Sequence, residues 1–295
     1  EIFLDVYQRL ASFEPGVTDF KQRLFDAYAA EVARVDTNGD GVVSASEGDI
    51  DTASDGFADN TRLFIPATQF KRFAVTREIN DGLLAPRFAP AHVANIRTLA
   101  HEHYWDGLTI NRSQDNFVVQ WGDPAETDQQ RKSLGGAKAH LPAEFSRKSA
   151  GIAFDRLPDR DGWAPQVGFT DGFPVARNPK SGESWMAHCY GTVGAGRDTA
   201  ADSSNGTELY VVDGQSPRQL DRNITVVGRV VQGMELLSVL PRGTGPLGVY
   251  EKAAQRVPIK ALVLASDLPE AQRTPLQLLR TDTPLFAAVA GPSAR

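Results

Sequence analysis

Two short stretches carry residues whose types and spacing could do chemistry. The first is "DTNGDGVVSASE" at 36–47. Asp36, Asn38 and Asp40 place oxygen donors at alternate positions, and Gly41 permits a sharp turn. Val42 would add a backbone carbonyl, Ser44 a hydroxyl or its water, and Glu47 a bidentate carboxylate. A hard dication takes six or more oxygens at about 2.3–2.6 Å, and this order of donors is that of a twelve-residue calcium loop. Ca2+ at 36–47 is the expectation, against the plainer reading of an Asp/Asn/Gly-rich surface turn. A degenerate copy at 51–62 has Ala53 in place of a donor and Arg62 in place of the closing glutamate, so no second ion is expected.

The second stretch is "LTINRSQDNFVVQWGDP" at 108–124. Arg112 follows Leu108 and Ile110 at the alternating spacing of one strand face, and Gln120 shares a face with Val118, beside Phe117. A paired surface arginine is the commoner fate. A guanidinium among apolar strand neighbours reads instead as a cleft wall. No nucleophile, base or metal ligand stands beside it. Weaker signals dissolve on inspection. His101 and His103 point apart on a helix and read as surface histidines. Cys189 beside His188 reads as a buried structural thiol, because neighbours on a strand face opposite ways. The glycines of "GAGRDTAADSSNG" lack the Gly-Lys-[Ser/Thr] of a phosphate cradle.

The elements that must position these residues follow from periodicity. "DFKQRLFDAYAAEVARV" and "APAHVANIRTLAHEHYWDG" read as amphipathic helices, the second with Val93, Ile96, Leu99 and Ala100 on one stripe. Strand-like runs lie at 108–112, 117–121, 190–193, 208–213, 224–231 and 258–265, with a short helix at 233–240. Residues 60–88 are ambiguous, and 122–185 reads as long loops with one strand pair at most. Many short strands with few helices predict a mainly β fold, barrel or sandwich, with two or more helices. The expected division is a helical segment with the calcium loop at 1–60, a β domain, barrel or sandwich, at 61–266 and a partly helical extension at 267–295.

Composition bounds the function. The 295 residues are 41% hydrophobic and 23% charged, enough for a real core. A net charge of −6 without a basic run argues against a nucleic-acid surface, and no apolar run reaches the length of a membrane span. A single cysteine excludes an internal disulfide. The chain begins at Glu1, and a calcium loop fills most readily where calcium is millimolar, so an extracytoplasmic location, the bacterial periplasm, is expected.

"YWDGLTINRSQDNFVVQWGDP" resembles the cyclophilin signature, a Tyr-[Tyr/Phe]-Asp-Gly turn, then Phe-His-Arg, then Phe-x-x-Gln-Gly-Gly-Asp-Pro, through Tyr104, Asp106, Gly107, Arg112, Phe117, Gln120, Gly122, Asp123 and Pro124. "GTVGAGRD" at 191–198, "NGTELYVV" at 205–212 and "LDRNITVVGRVVQGMELL" at 220–237 are similar to later family motifs in the same order, so the likeness spans about 88–265. It implies a closed antiparallel β-barrel and a divergent, bacterial-like peptidyl-prolyl cis/trans isomerase that needs no cofactor for catalysis. Its partners would be proline-containing peptides or unfolded protein clients. Arg112 would stabilise the twisted prolyl amide, Phe117 and Val118 would hold the proline ring, and Gln120 would orient the peptide. Departures fall in the substrate pocket: Ala195 and Gly196 for Met-Ala, Glu208 for Gln, Tyr210 for Phe, Ile224 for His, with Leu220 retained. They imply weak or shifted activity and poor cyclosporin binding. A non-catalytic peptide-binding module and a calcium-dependent interaction protein are the alternatives.

Overall fold

A proline at the first helical position opens helix α1, Pro90–His101, where its missing N–H costs nothing. The next two N–H groups, of Ala91 and His92, donate to the Glu144 carboxylate at 2.9 and 3.0 Å. An acidic group there satisfies orphan donors and meets the positive end of the helix dipole. The predicted stripe is real: Val93, Ile96, Leu99 and Ala100 are buried, joined by fully buried Trp105. The computed structural model describes residues 75–79, 83–125, 127–158, 161–215, 217–274, 276, 278, 280–284 and 286, all in the unit Pro66–Ala294. The calcium loop 36–47, its degenerate copy and the first predicted helix lie outside the described residues.

Seven strands form the main sheet: β1 (Val75–Ile79), β2 (Thr109–Ser113), β3 (Phe117–Gly122), β9 (Thr192–Ala195), β10 (Leu209–Asp213), β11 (Thr225–Arg229) and β12 (Val257–Leu264), in spatial order β1-β12-β2-β3-β10-β9-β11. Helix α1 packs on this sheet, its apolar stripe meeting Leu209, Val227, Leu262 and Leu264. A short helix α2, Met234–Ser238, follows β11.

The expected closed antiparallel barrel is not what the pairing gives. β1 runs parallel to β12, and β1 and β11 are the two edges of an open sheet. Among the described residues, the segment before α1 meets the β11 edge through a Leu84–Gly228 bridge and an Ala85 N–H donated to Val227 O at 2.8 Å. Pro86 follows, and a residue without an N–H cannot extend a ladder. Gly228 permits the approach, since a Cβ there would fall 2.5 Å from the Leu83 carbonyl oxygen.

The region 122–185, expected as long loops with one strand pair at most, holds a second sheet of five strands in the order β4-β8-β7-β6-β5. These are β4 (Arg147–Lys148), β5 (Asp155–Arg156), β6 (Gln166–Thr170), β7 (Phe173–Asn178) and β8 (Glu183–Met186). Phe173, Val175 and Met186 join Phe88 and Val226 in one apolar cluster, which ties this sheet to the main one. The tail touches the second sheet where Phe286 meets Phe169 edge-on at 4.9 Å.

Candidate active site

Antiparallel register sets one row of side chains across the main sheet. Arg112 of β2 lies opposite Gln120 of β3, Gln120 opposite Tyr210 of β10, and Tyr210 opposite Gly194 of β9. Directly opposed residues share a face, so cation, amide and phenol stand side by side. The adjacent row, Trp121, Leu209 and Ala195, faces the other way, into the core under α1.

This alternation corrects two expectations. A bulge separates Ile110 from Arg112, so they do not share a face: Ile110 packs into the core with Val119 and Val211, while Arg112 turns to the cleft. A bulged strand re-aims a side chain in just this way. Ala195 is fully buried in the core, and only its neighbour Gly196 reaches the cleft.

The cleft is a hollow of about 380 Å³ lined by Arg112, Phe117, Val118, Gln120, Gly196, Glu208, Tyr210, Leu220 and Ile224, nine residues singled out from the sequence. Its apolar floor is the cluster of Val118, Tyr210 and Val212 with Phe117, Leu220 and Ile224. Its polar wall holds residues the sequence reading passed over, among them Arg131, Asn205 and Thr207. The glycine-bearing run 196–207, dismissed as a phosphate loop, supplies part of this wall.

Arg112 is gripped on three sides. Its Nε donates to the Leu247 carbonyl at 2.6 Å, Nη1 to Gln120 Oε1 at 3.3 Å, and Nη2 to Gln114 Oε1. Its Cζ lies 5.5 Å from the Phe117 ring centroid. Burial pulls the guanidinium below its ordinary pKa, yet an arginine stays charged. The carbonyl that holds it belongs to a strained turn: Leu247 has φ 57° and its side chain is exposed, and left-handed backbone at such a residue costs about 1–2 kcal/mol.

Glu208 does not pair with Arg112 directly. It accepts from Gln120 Nε2 at 3.4 Å, and burial lifts its carboxyl to about 7, against the lowering bonds from Gln120 and the Asp123 N–H and the charge of Arg131. Tyr210 does not plug the cleft. Its hydroxyl runs along the sheet, across β9, to His188 Nε2 at 2.8 Å, through space that Gly194 leaves open: a Cβ there would lie 2.3 Å from the ring. Burial pushes the phenol far above its usual range.

His188 extends the network to Asp221 Oδ1 at 3.1 Å, and Asp221 Oδ2 accepts from Arg218 at 2.7 Å and from Trp185 at 3.1 Å. Burial alone would raise the Asp221 carboxyl, but the His188 and Arg218 bonds hold it below the ordinary range. The sequence reading noticed His188 only as a neighbour of Cys189. The usable signal was Tyr210, a phenol in an apolar strand that needs a partner. Cys189 itself is half-buried rather than buried. His101 and His103 are exposed and face Asp267 and Asp106 separately. Among the described residues no group of three or more His, Cys, Asp or Glu gathers for a metal ion, and no helix is long and apolar enough to cross a membrane.

An arginine clamped over an apolar hollow, on one face of a β-rich fold, agrees with the comparisons. Residues 82–263 match the model of the family described as "Cyclophilin type peptidyl-prolyl cis-trans isomerase/CLD". The chain belongs to the cyclophilin-type peptidyl-prolyl cis-trans isomerase family. It is 27% identical over 209 residues to a probable peptidyl-prolyl cis-trans isomerase of Brucella abortus, covering 68% of this chain and 82% of that one. It is 29% identical over 160 residues to peptidyl-prolyl cis-trans isomerase B of Bacillus subtilis, covering 54% and 81%. Among solved structures, the cyclophilin AquaCyp293 from Hirschia baltica is 28% identical and superposes with a TM-score of 0.58, covering 70% of this chain and 77% of that one.

Proposed function

We propose that prolyl isomerisation runs in the Arg112 cleft, with Phe117, Val118 and Leu220 receiving the proline ring and Gln120 orienting the peptide backbone. The barrier to rotation is the lost amide resonance, about 18–20 kcal/mol, and unaided exchange takes tens of seconds or longer. When the bond twists, the prolyl nitrogen regains its lone pair and becomes an acceptor. A fixed cationic donor there favours the twisted state over either planar one, which is the condition for catalysis. No bond to protein forms, so no nucleophile is needed.

The observation that carries this reading is the threefold grip on Arg112 beside an apolar floor. The test is nuclear magnetic resonance exchange between the cis and trans forms of a short Ala-Pro peptide, with wild type and Arg112→Ala. Faster exchange with wild type alone supports it. Peptide binding without acceleration would leave a non-catalytic peptide-binding module.

The reading includes Ca2+ at Asp36, Asn38, Asp40, Val42, Ser44 and Glu47, supported by donor order alone. Calorimetric titration of wild type against Glu47→Gln tests it, and equal heats would remove the ion from the account.

A further inference from the structure

Three side chains stand in line, cation first: Arg112 Nη1 donates to Gln120 Oε1 at 3.3 Å, and Gln120 Nε2 donates to Glu208 Oε2 at 3.4 Å. A guanidinium only donates and an ionised carboxylate only accepts. The amide between them therefore has one orientation that suits both neighbours. Glu208 is held closely, because at Gly122 a Cβ would fall 2.1 Å from its Oε1, and the Asp123 N–H bonds to it.

We propose, resting on the reading of Arg112 as donor to the prolyl nitrogen, that Glu208 is a positioning residue whose carboxylate fixes the Gln120 amide and, through it, the Arg112 guanidinium. Protonation changes the line at its far end. The carboxyl gains an O–H that competes for Gln120 Oε1, the atom Arg112 uses, and the amide loses its single orientation. The guanidinium keeps the Leu247 and Gln114 bonds but loses its third hold, and alignment at the twisted bond degrades.

Among the described residues, these groups act on Glu208. Gln120 belongs to β3 and Asp123 follows it, Arg131 lies in the next loop, and Tyr104 follows α1; Arg112 is one side chain removed. Burial and the Asp123 charge lift the carboxyl, Gln120, the Asp123 N–H and Arg131 lower it, and the balance falls near 7. The alignment therefore changes across neutral pH.

The experiment follows the Gln120 side-chain NH2 and Arg112 Nε–H resonances of the full chain from about pH 5.5 to 8.5, in wild type and Glu208→Gln. Exchange of an Ala-Pro peptide is measured in the same samples. In wild type both resonances shift with one midpoint near 7. The rate constant kcat rises roughly three- to tenfold across it with KM little changed, the size of one ordinary hydrogen bond. Glu208→Gln loses both effects. A merely structural Glu208 would move stability and not the pH profile. Resonances that do not titrate in wild type, or titrate alike in the variant, overturn the proposal whatever the turnover. Titrating resonances with no acceleration of the peptide uphold the alignment and overturn the isomerase role of Arg112 beneath it.

Discussion

The hydroxyl of Tyr210 meets Nε2 of His188 at 2.8 Å, across β9. It gets there because Gly194, its opposite number on β9, has no side chain. The phenol and the glycine form one device, which turns a polar group away from the hollow and leaves the ring face as floor.

Tyr210→Phe keeps the ring and removes the bond, leaving a buried imidazole nitrogen without that partner. The expected cost is about 1–3 kcal/mol. Gly194→Ala should cost at least as much, since its Cβ would meet the ring at 2.3 Å. Urea unfolding of the two variants tests this, and midpoints matching wild type would contradict it.

Glu208 makes a second, oppositely signed prediction. Its folded carboxyl titrates near 7, above its value in the unfolded chain, about 4.3. Between those values the folded state holds a proton that the unfolded state has released, so stability falls as pH rises through the window and levels above it. Glu208→Gln should therefore be the more stable protein at pH 8, by on the order of 1–3 kcal/mol. The gap should close by about pH 4. Denaturation at several pH values checks this; a gap that widened on acidification would refute it.

Gly248 supports Arg112 at one remove. Its φ is 77°, and a Cβ there would lie 2.7 Å from the Gln114 Cα and the Ser113 carbonyl oxygen. Gly248→Ala should lift the turn off β2 and draw the Leu247 carbonyl from Arg112 Nε. The expected loss in kcat is roughly tenfold with KM nearly held, because a displaced donor is felt most at the transition state. Steady-state rates beside a circular-dichroism melt separate this from unfolding.

Local patterns made much of the main sheet legible. The runs at 117–121 and 208–213 fall on β3 and β10, and the 233–240 prediction contains α2. What failed was information that one strand does not carry. The bulge before Arg112 exists only in the pairing of β2 with β3, so Ile110 was assigned to the wrong face. Ala195 and Gly196 cannot both face the cleft from one strand, and the period of two was enough to say so. At 122–185 one strand pair was allowed where five strands pair; β4 and β5, two residues each, are too short for periodicity to register. The Arg112 grip by Leu247 spans 135 residues, and no local pattern announces it.

The central claim is that the Arg112 charge, held in place, lowers the barrier to turning a prolyl bond. Cis–trans exchange of an Ala-Pro peptide at saturating protein tests it most directly, with wild type, Arg112→Lys and Arg112→Ala compared. The account predicts acceleration by wild type and a loss of roughly 10²–10³-fold in Arg112→Ala, the usual cost of one transition-state donor. Arg112→Lys should fall between them, since a lysine keeps the charge without the rigid fork. Equal acceleration by wild type and Arg112→Ala would contradict it.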